Sequence, residues 1–538
     1  MNPAPSATPA NLEAWARAVE SRDSRFDGWV IVGVTSTGIY CRPSCPTPVR
    51  PKRANMRFFA TPASAQMEGF RACKRCLPDA APGSPEWNRR DDLVGRAIRA
   101  IDDGLVDRVG VQGLARHLAV SSRHLHRLLS TEVGATPVAL ARARRARAAR
   151  VLIETTDLPF GEVAFGSGFD SIRQFNDTVN EVFACTPTVL RAKATQQSAR
   201  RSGHRPTMPD AVSSGAISLR LAHRAPYDRD QVLAWLGSHA VPGVEAREGW
   251  CYSRSLRLPH GPAVVALDLS SGTHVEASFW LTSLVDLQTA LHRCRRMLDL
   301  DADPAVVDES LGVDPLLAAG VARHPGTRSP ADVDGFDALL RAIIHQQVSV
   351  ASAVGVLARL TAAHGHRLDP ALSFAALGGE RSPITTVFPD AEVWAALDPD
   401  ELGLPASRAA TVVAAARAVA EGTVDLSPGA DREAARQQLL RIKGIGPWTV
   451  AVTSLRGLSD PDVFVPGDLA LERSAQEVAR RQGIEGSMSL EARSLGWSPW
   501  RSYAMHHLWR SYAPKSAGKT AGPDTPLETT RNPMGANA

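Results

Sequence analysis

Cys41 and Cys45 form a C-x3-C pair, and Cys73 and Cys76 a C-x2-C pair, near the start of the chain. Two such pairs can close a tetrahedral site of four thiolates around zinc. The spacing points to zinc more firmly than to reactivity, because most sites of this kind only hold a fold together. Two features add chemistry. Cations crowd the pairs, among them Arg42, Lys52, Arg53, Arg57, Lys74 and Arg75, and would draw in a phosphodiester backbone. Zinc also keeps its sulfurs deprotonated, and therefore nucleophilic, at neutral pH. The seven cysteines are an odd number, and a disulfide framework does not suit a long chain without a secretory signal.

A second constellation lies toward the other end. Leu440 to Thr449 reads as a helix (Arg432 to Leu440), a Gly444-Ile445-Gly446 hairpin and a Pro447 suited to the first turn of the next helix. Backbone N–H groups at Gly444 and Gly446 would face an anion there, although a lone Gly-x-Gly is usually only a turn. Asp468 follows 22 residues beyond Gly446 and reads as the N-cap of a helix from Leu469 to Arg480, a position from which it could also do chemistry. Four of the eleven tryptophans fall between Trp448 and Trp509, of which Trp497 and Trp500 read as core.

The elements that must carry these residues follow from composition. The chain has 538 residues, 44% hydrophobic and 22% charged, which excludes a wholly disordered chain, a collagen and a coiled coil. At roughly 150 residues per domain the length predicts three or four domains. No apolar run approaches the roughly 20 residues needed to span a bilayer, and the start has no signal-peptide pattern. The expectation is a soluble cytoplasmic protein without membrane contact. Net charge is +5, but Gly113 to Val151 holds eight arginines and one acid, an excess that either solvates a helix face or meets a polyanion. That stretch lies in an internal repeat: Gly134-Ala135-Thr136-Pro137 recurs as Ala184-Cys185-Thr186-Pro187. Each copy reads as helix, turn, helix, with Ser121 and Asp170 as N-caps. Arg123, His124, His126 and Arg127 on the second helix of the first copy suit a helix in the major groove. An ordinary helical bundle with a basic face fits the pattern equally. Further on, Val264 to Leu269 and Val275 to Trp280 read as strands.

Three resemblances bear on these residues. Thr37 to Cys45, Phe58-Phe59 and Gly69 to Pro78 resemble the N-terminal domain of the Ada family. That resemblance implies irreversible methyl transfer from a DNA methylphosphotriester to a zinc-bound cysteine, with Cys41 as acceptor and one Zn2+ held by Cys41, Cys45, Cys73 and Cys76. The stretch Val163-Ala164, Gly168 to Ser171, Phe175, Thr186-Pro187 and Arg191 resembles the AraC-type DNA-binding domain, which implies DNA contacts from Arg123, His124 and Arg127. Asp177 stands where that family usually has Arg, which makes the first unit the stronger reader. From about Leu219 to Tyr512 the chain is similar to helix-hairpin-helix glycosylases of the AlkA type, through Ala225 to Asp228, Ala342 to Val350, the hairpin and Pro499 to Ala504. By that match Asp468 is the catalytic carboxylate, Trp448 and Trp509 line the base pocket, Gln347 wedges into the duplex, and Gly444 and Gly446 hold DNA. Trp448 occupies the place of a Schiff-base lysine, so the implied enzyme is monofunctional. Only Cys251 and Cys294 lie beyond the linker, too few for an iron–sulfur cluster. Gly467 and Val452 depart from the pattern beside the pocket. No Pro-Cys-His-Arg nucleophile of a second methyltransferase domain occurs.

The resulting expectation is a multidomain, mainly α fold with α+β parts. It comprises a zinc methyl-acceptor domain (1–86), a double helix-turn-helix domain (87–197), a linker (198–215), an AlkA-like α+β domain (216–300), an all-α helix-hairpin-helix glycosylase (301–513) and a disordered tail (514–538). The implied activities are methylphosphotriester repair, promoter activation, and excision of alkylated purines such as 3-methyladenine and 7-methylguanine. The implied partners are alkylated and promoter double-stranded DNA and, for an activator, RNA polymerase; the implied location is the nucleoid. A rival reading is a transcription regulator with structural zinc, whose catalytically weak glycosylase domain serves only to bind DNA.

Overall fold

The computed structural model describes residues 9–76, 78, 92–201, 216–370, 372, 383–484 and 489–511. Helix α1 (Pro9–Ser21) precedes a small sheet of β1 (Ile31–Val34), β2 (Ile39–Cys41), β3 (Met56–Phe59) and β4 (Arg71–Ala72), ordered β3-β1-β2-β4. Strands β2 and β4 run parallel with Tyr40 opposite Ala72, so Cys41 and Cys73 emerge at the same end. Helix α2 (Pro62–Met67) starts at a capping box, Thr61 accepting from the Ser64 amide and Ser64 from that of Thr61.

Helix α3 (Leu93–Asp102) leads into the repeat. The first unit is α4 (Leu105–His117) and α5 (Ser122–Glu132), the bridge α6 (Pro137–Thr155), the second unit α7 (Phe160–Gly166) and α8 (Ile172–Phe183), followed by α9 (Pro187–Arg201). Ser121 caps α5 as expected, accepting from the His124 amide at 3.2 Å. The second cap is Ser171 and not Asp170. The chain turns helical only at Ile172, so Ser171 is the last extended residue, and its Oγ accepts from the Gln174 amide at 3.2 Å. Helix α9 continues to Arg201, into the stretch read as a linker. The rest of that stretch, 202–215, and the predicted tail, 514–538, lie outside the described residues.

The arginine-rich stretch divides into internally paired and exposed side chains. Arg144 meets Asp107 at 2.5 Å, Arg145 the same carboxylate at 3.6 Å, and Arg150 reaches Glu154 at 2.8 Å. Arg142 bonds Glu181 of the second unit. These charges tie the repeat together, while Arg116, Arg123 and Arg127 stay exposed. Periodicity could not separate the two groups, because the carboxylates that Arg142, Arg144 and Arg145 face lie on other helices.

Strands β5 (Ile217–Ala222), β6 (Glu245–Glu248), β7 (Cys251–Leu258), β8 (Gly261–Asp268) and β9 (His274–Leu281) form an antiparallel sheet ordered β5-β9-β8-β7-β6. Both predicted strands fall on β8 and β9. Helices α10 (Arg229–Ser238) and α11 (Leu287–Met297) accompany this sheet. The helices that build the cleft are α12 (Gly335–Ile344), α13 (Ala406–Ala420), α14 (Arg432–Leu440), α15 (Pro447–Arg456), α16 (Leu469–Gln482) and α17 (Arg501–Ser511). No helix among the described residues is long and apolar enough to cross a membrane.

One apolar cluster runs from Tyr40 and Phe59 of the first sheet through Leu152 and Phe175 of the repeat to Leu233 of α10 and Val265 of the second sheet. Polar ties cross the same seams. Trp29 donates to Asp303 at 2.7 Å, Arg224 to the Asp27 carbonyl at 2.6 Å, and Arg99 to the Pro428 carbonyl at 2.9 Å. Asp103, buried at the end of α3, accepts from Arg293 of α11 and from Arg108, each at 3.1 Å. Burial pushes this carboxyl up, but the two guanidiniums outweigh it and hold it below its ordinary value. Asp103→Ala should therefore leave the partly buried Arg293 and the more open Arg108 without their shared carboxylate, cost about 2 kcal/mol and lower the midpoint of urea unfolding. An unchanged midpoint would show that this seam carries no stability.

Candidate functional site

The four predicted thiols converge. The Sγ atoms of Cys41, Cys45, Cys73 and Cys76 all lie within 4.8 Å of one another, and Cys45 and Cys73 are 3.9 Å apart. A tetrahedron with Zn–S bonds of about 2.3 Å places its sulfurs about 3.8 Å apart, so the donor set fits zinc in number, softness and spacing. Four ionised sulfurs this close repel one another unless a cation sits among them. One Zn2+ is the ion of this site. Local hydrogen bonds set the geometry: the Cys73 amide donates to the Tyr40 carbonyl at 3.0 Å, and the Cys45 amide closes a turn on Arg42 at 3.1 Å. Between the first two cysteines, Ser44 donates both N–H and O–H to the buried Asp27 carboxylate, which also faces Arg42 at 3.4 Å. Cys41 is 8% exposed, while Cys73 is the most open of the four. Exposure therefore does not single out an acceptor.

Around the repeat, Arg123, His126 and Arg127 are exposed on α5, with His124 half-buried and its Nδ1 3.4 Å from Arg127. In the second unit Asp177 faces Arg173 at 3.9 Å, which offsets a cation that could otherwise meet a phosphate. Lys74, between Cys73 and Cys76, donates to the Ala184 carbonyl at 3.2 Å, so the thiol cluster abuts the end of α8.

Asp468 caps α16 and faces a cleft of about 950 Å³. Its Oδ1 accepts from the Leu471 amide at 2.8 Å and from Trp509 Nε1 at 3.2 Å. Its Oδ2 accepts from Trp448 Nε1 at 3.1 Å. Both tryptophans read from the sequence thus hold their indole edges on the one carboxylate, and both line the cleft, as does Val452. Trp497 and Trp500 are buried away from solvent, as expected of core residues. The hairpin before α15 turns at Gly444, whose φ of +93° and whose Cβ position, 2.1 Å from Thr411 Oγ1, both require glycine. Gly446 is extended and open. Gln347 is exposed with a left-handed φ of 57°. Its neighbour Gln346 ties this tip to the hairpin by donating to the Gly444 carbonyl at 3.1 Å and to Thr449 Oγ1 at 2.8 Å.

Several cleft residues escaped the sequence reading. Trp235 stacks on His239 at 4.1 Å and carries the Arg456 guanidinium 3.6 Å over its ring. His506 approaches Trp235 and Trp509 edge-on at 5.4 and 5.3 Å. The i,i+4 spacing of Trp235 and His239 is a legible helix pair, but nothing in the sequence joins it to Trp509. Burial pushes Arg456 down to about 9.

Comparison with known proteins gives the following matches. Residues 14–79 match the family model of the metal binding domain of Ada, 114–193 that of a helix-turn-helix domain, and 218–334 that of the AlkA N-terminal domain. A probable bifunctional transcriptional activator/DNA repair enzyme AlkA of Mycobacterium tuberculosis is 47% identical over 503 residues, 93% of this chain and 96% of that protein. DNA-3-methyladenine glycosylase 2 of Escherichia coli is 34% identical over 292 residues, 53% of this chain and 94% of the relative. The bifunctional transcriptional activator/DNA repair enzyme Ada of Escherichia coli is 38% identical over 134 residues, 25% of this chain and 36% of the relative.

Elemental analysis of protein purified without chelator should return one zinc per chain. A structural zinc contributes roughly 10–16 kcal/mol to a small domain, so chelation should expose the segment around the four cysteines to protease before the rest. Protein that is folded and zinc-free would contradict this.

Proposed function

The chain belongs to the family of bifunctional AlkA-type transcriptional activators and DNA repair enzymes, and from that premise we propose how its residues divide the work on alkylated DNA. The glycosylase reading is carried by one observation: a single carboxylate, Asp468, accepts from both cleft tryptophans while capping a helix. A base must leave the stack before its glycosidic bond is reachable. Gln347, on its exposed tip, fills the space the base vacates, and the hairpin at Gly444 and Gly446 holds a neighbouring phosphate through backbone N–H groups. An N-alkylated purine is cationic, so the faces of Trp448 and Trp509 attract it. When the C1′–N bond breaks, the base takes the bonding pair and the sugar becomes cationic, which the Asp468 carboxylate stabilises. Water then adds to C1′, loses a proton, and leaves an intact strand with an abasic site. The three N–H donors fix the carboxylate in place before the charge develops, so little reorganisation accompanies the step.

In the N-terminal unit, Cys41 Sγ attacks the methyl carbon of a methylphosphotriester. A C–S bond forms, the C–O bond breaks, and the phosphodiester leaves with its electron pair. Zinc, when bound, keeps the sulfur ionised for this step. Methylation cancels one negative charge in the cluster, which strengthens its attraction to DNA. Lys74 links the cluster to α8, giving this change a short path to the reader, where Arg123, His124 and Arg127 contact promoter DNA. RNA polymerase is the further partner of such an activator, and the nucleoid its place of work. The domain limits read from sequence, 1–86, 87–197, 216–300 and 301–513 with a linker at 198–215, remain the proposed division, save that α9 carries the second domain on to Arg201.

Asp468→Asn keeps the shape and the acceptor for the Leu471 amide but removes the charge. It should lower 3-methyladenine release at least about 100-fold while duplex affinity stays within about twofold. Persisting excision would place the essential carboxylate elsewhere. After incubation with DNA bearing methylphosphotriesters, peptide mass spectrometry should find one added methyl, on Cys41. A methyl on Cys45, Cys73 or Cys76 would move the acceptor.

A further inference from the structure

Two residues at the start of α10 reach across to the helix that carries Trp509. Asp228 caps α10, its Oδ1 accepting from the Gln231 amide at 3.1 Å, and its Oδ2 accepts from Arg510 of α17. Gln231, only 8% exposed, commits its side-chain amide inside the protein. Its Oε1 accepts from the Arg328 amide at 3.2 Å, while its Nε2 donates to the Arg328 carbonyl at 3.2 Å and lies 3.3 Å from Nδ1 of buried His506. The Arg328 N–H can only donate, so the oxygen and nitrogen of the Gln231 amide cannot be exchanged. Nε2 is therefore the donor toward His506, Nδ1 is the acceptor, and the imidazole proton sits on Nε2. Burial holds His506 well below its ordinary value, which keeps the ring neutral and able to accept. The backbone that anchors Gln231 is itself fixed, because the Arg328 side chain donates to the carbonyls of Arg224 at 2.7 Å and Pro226 at 3.1 Å.

His506 stands at 80° to the ring planes of both Trp235 and Trp509, and the two indoles lie 6.1 Å apart. The three rings close a triangle in which none can turn without displacing another. Trp509 then donates to Asp468 Oδ1, which without it would keep only the Leu471 amide. We propose that Gln231 is a positioning residue for base excision: by fixing His506 it fixes the Trp509 ring, and through that ring the direction in which Asp468 presents its charge. The assignment rests on reading Asp468 as the glycosylase carboxylate. A group that stabilises a developing cation must be aimed before the bond breaks, and a displacement of about 1 Å can cost about a hundredfold in rate. Gln231 acts without holding the base, since both N–H groups of its amide are taken by Arg328 and His506. Asp228 supports the same alignment from outside, tying the residue next to Trp509 to the residue that starts α10.

The test uses full-length zinc-loaded protein on methylated duplex DNA, measuring kcat and KM for 3-methyladenine release and affinity for abasic duplex. Gln231→Met keeps the length of the side chain and removes the donor, while His506→Phe keeps a ring between the tryptophans and removes the acceptor. Each should lower kcat about tenfold, with KM and duplex affinity within about twofold of wild type. The double variant should lose no more than either single one, because both remove the same hydrogen bond. A hundredfold loss in the double variant, an unchanged kcat, or a change confined to KM would overturn the proposal, and so would rate and affinity falling together, the mark of a merely structural residue. Should Gln231→Met not fold, His506→Phe must show the same split, and an unchanged kcat there is equally fatal. One measurement needs no variant: neutron diffraction from the wild type should show the exchangeable hydrogen of His506 on Nε2, and finding it on Nδ1 would remove the link to Gln231. Failure of the glycosylase reading is distinct, since it would appear as wild-type protein that releases no base, or as Asp468→Asn protein that still does.

Discussion

The buried carboxylate of Glu245 holds the glycosylase half together. It sits at the start of β6 and accepts from Arg341 of α12 at 2.9 Å while pairing with Arg254 of β7 at 3.0 Å. Burial pushes this carboxyl up, but the two guanidiniums win and keep it below its ordinary value. Removing one partner from such a group leaves an uncompensated charge, which is why the sheet and α12 cannot slide past each other without a large cost. One wall of the cleft hangs from α12. Its last turn carries Arg341, and the chain then runs directly through His345, Gln346 and Gln347, from cleft wall to exposed tip.

The loops beside the cleft are tied to it and to one another. Gln346 joins the tip to the hairpin, Arg408 of α13 donates to the Gln346 carbonyl at 2.7 Å, and Thr411 of the same helix donates to the Lys443 carbonyl at 3.0 Å. The left-handed backbone at Gln347 is thus over-determined by its neighbours, which is the condition under which such a conformation persists. On the other side of the cleft the carboxylate is equally constrained, because Asp468 begins α16 and receives two indole N–H groups from α15 and α17.

The three units are joined by apolar packing with charged ties across the seams, and the arginines show how the same residue type serves opposite ends. Arg142, Arg144 and Arg145 of α6 pair with carboxylates of neighbouring helices, whereas Arg123 and Arg127 on α5 are exposed. The thiol cluster borders both neighbours, through Lys74 on the end of α8 and through Asp27, whose side chain holds Ser44 and whose carbonyl holds Arg224.

Local chemistry was legible in the sequence wherever the partners are near one another or carry a fixed spacing. The cysteine pairs, the cap at Ser121, the helix from Arg432 to Leu440 and the capping role of Asp468 depend on contacts within a few residues or on one short motif. The shift from Asp170 to Ser171 was a one-residue matter of where the chain turns helical. Trp448 and Trp509 were read from family resemblance, and folding then put both N–H groups on one carboxylate. Nothing along the chain announced that Trp235, His239 and His345 would share a cleft with Asp468, or that half the arginines of a basic repeat would be internally paired. The cleft depends on side chains brought together across 100 to 270 positions, and the pairing of Arg142 and Arg144 on partners 39 and 37 positions away. A tautomer or a buried ion pair is a property of such a meeting, and no single stretch of sequence contains both sides of it.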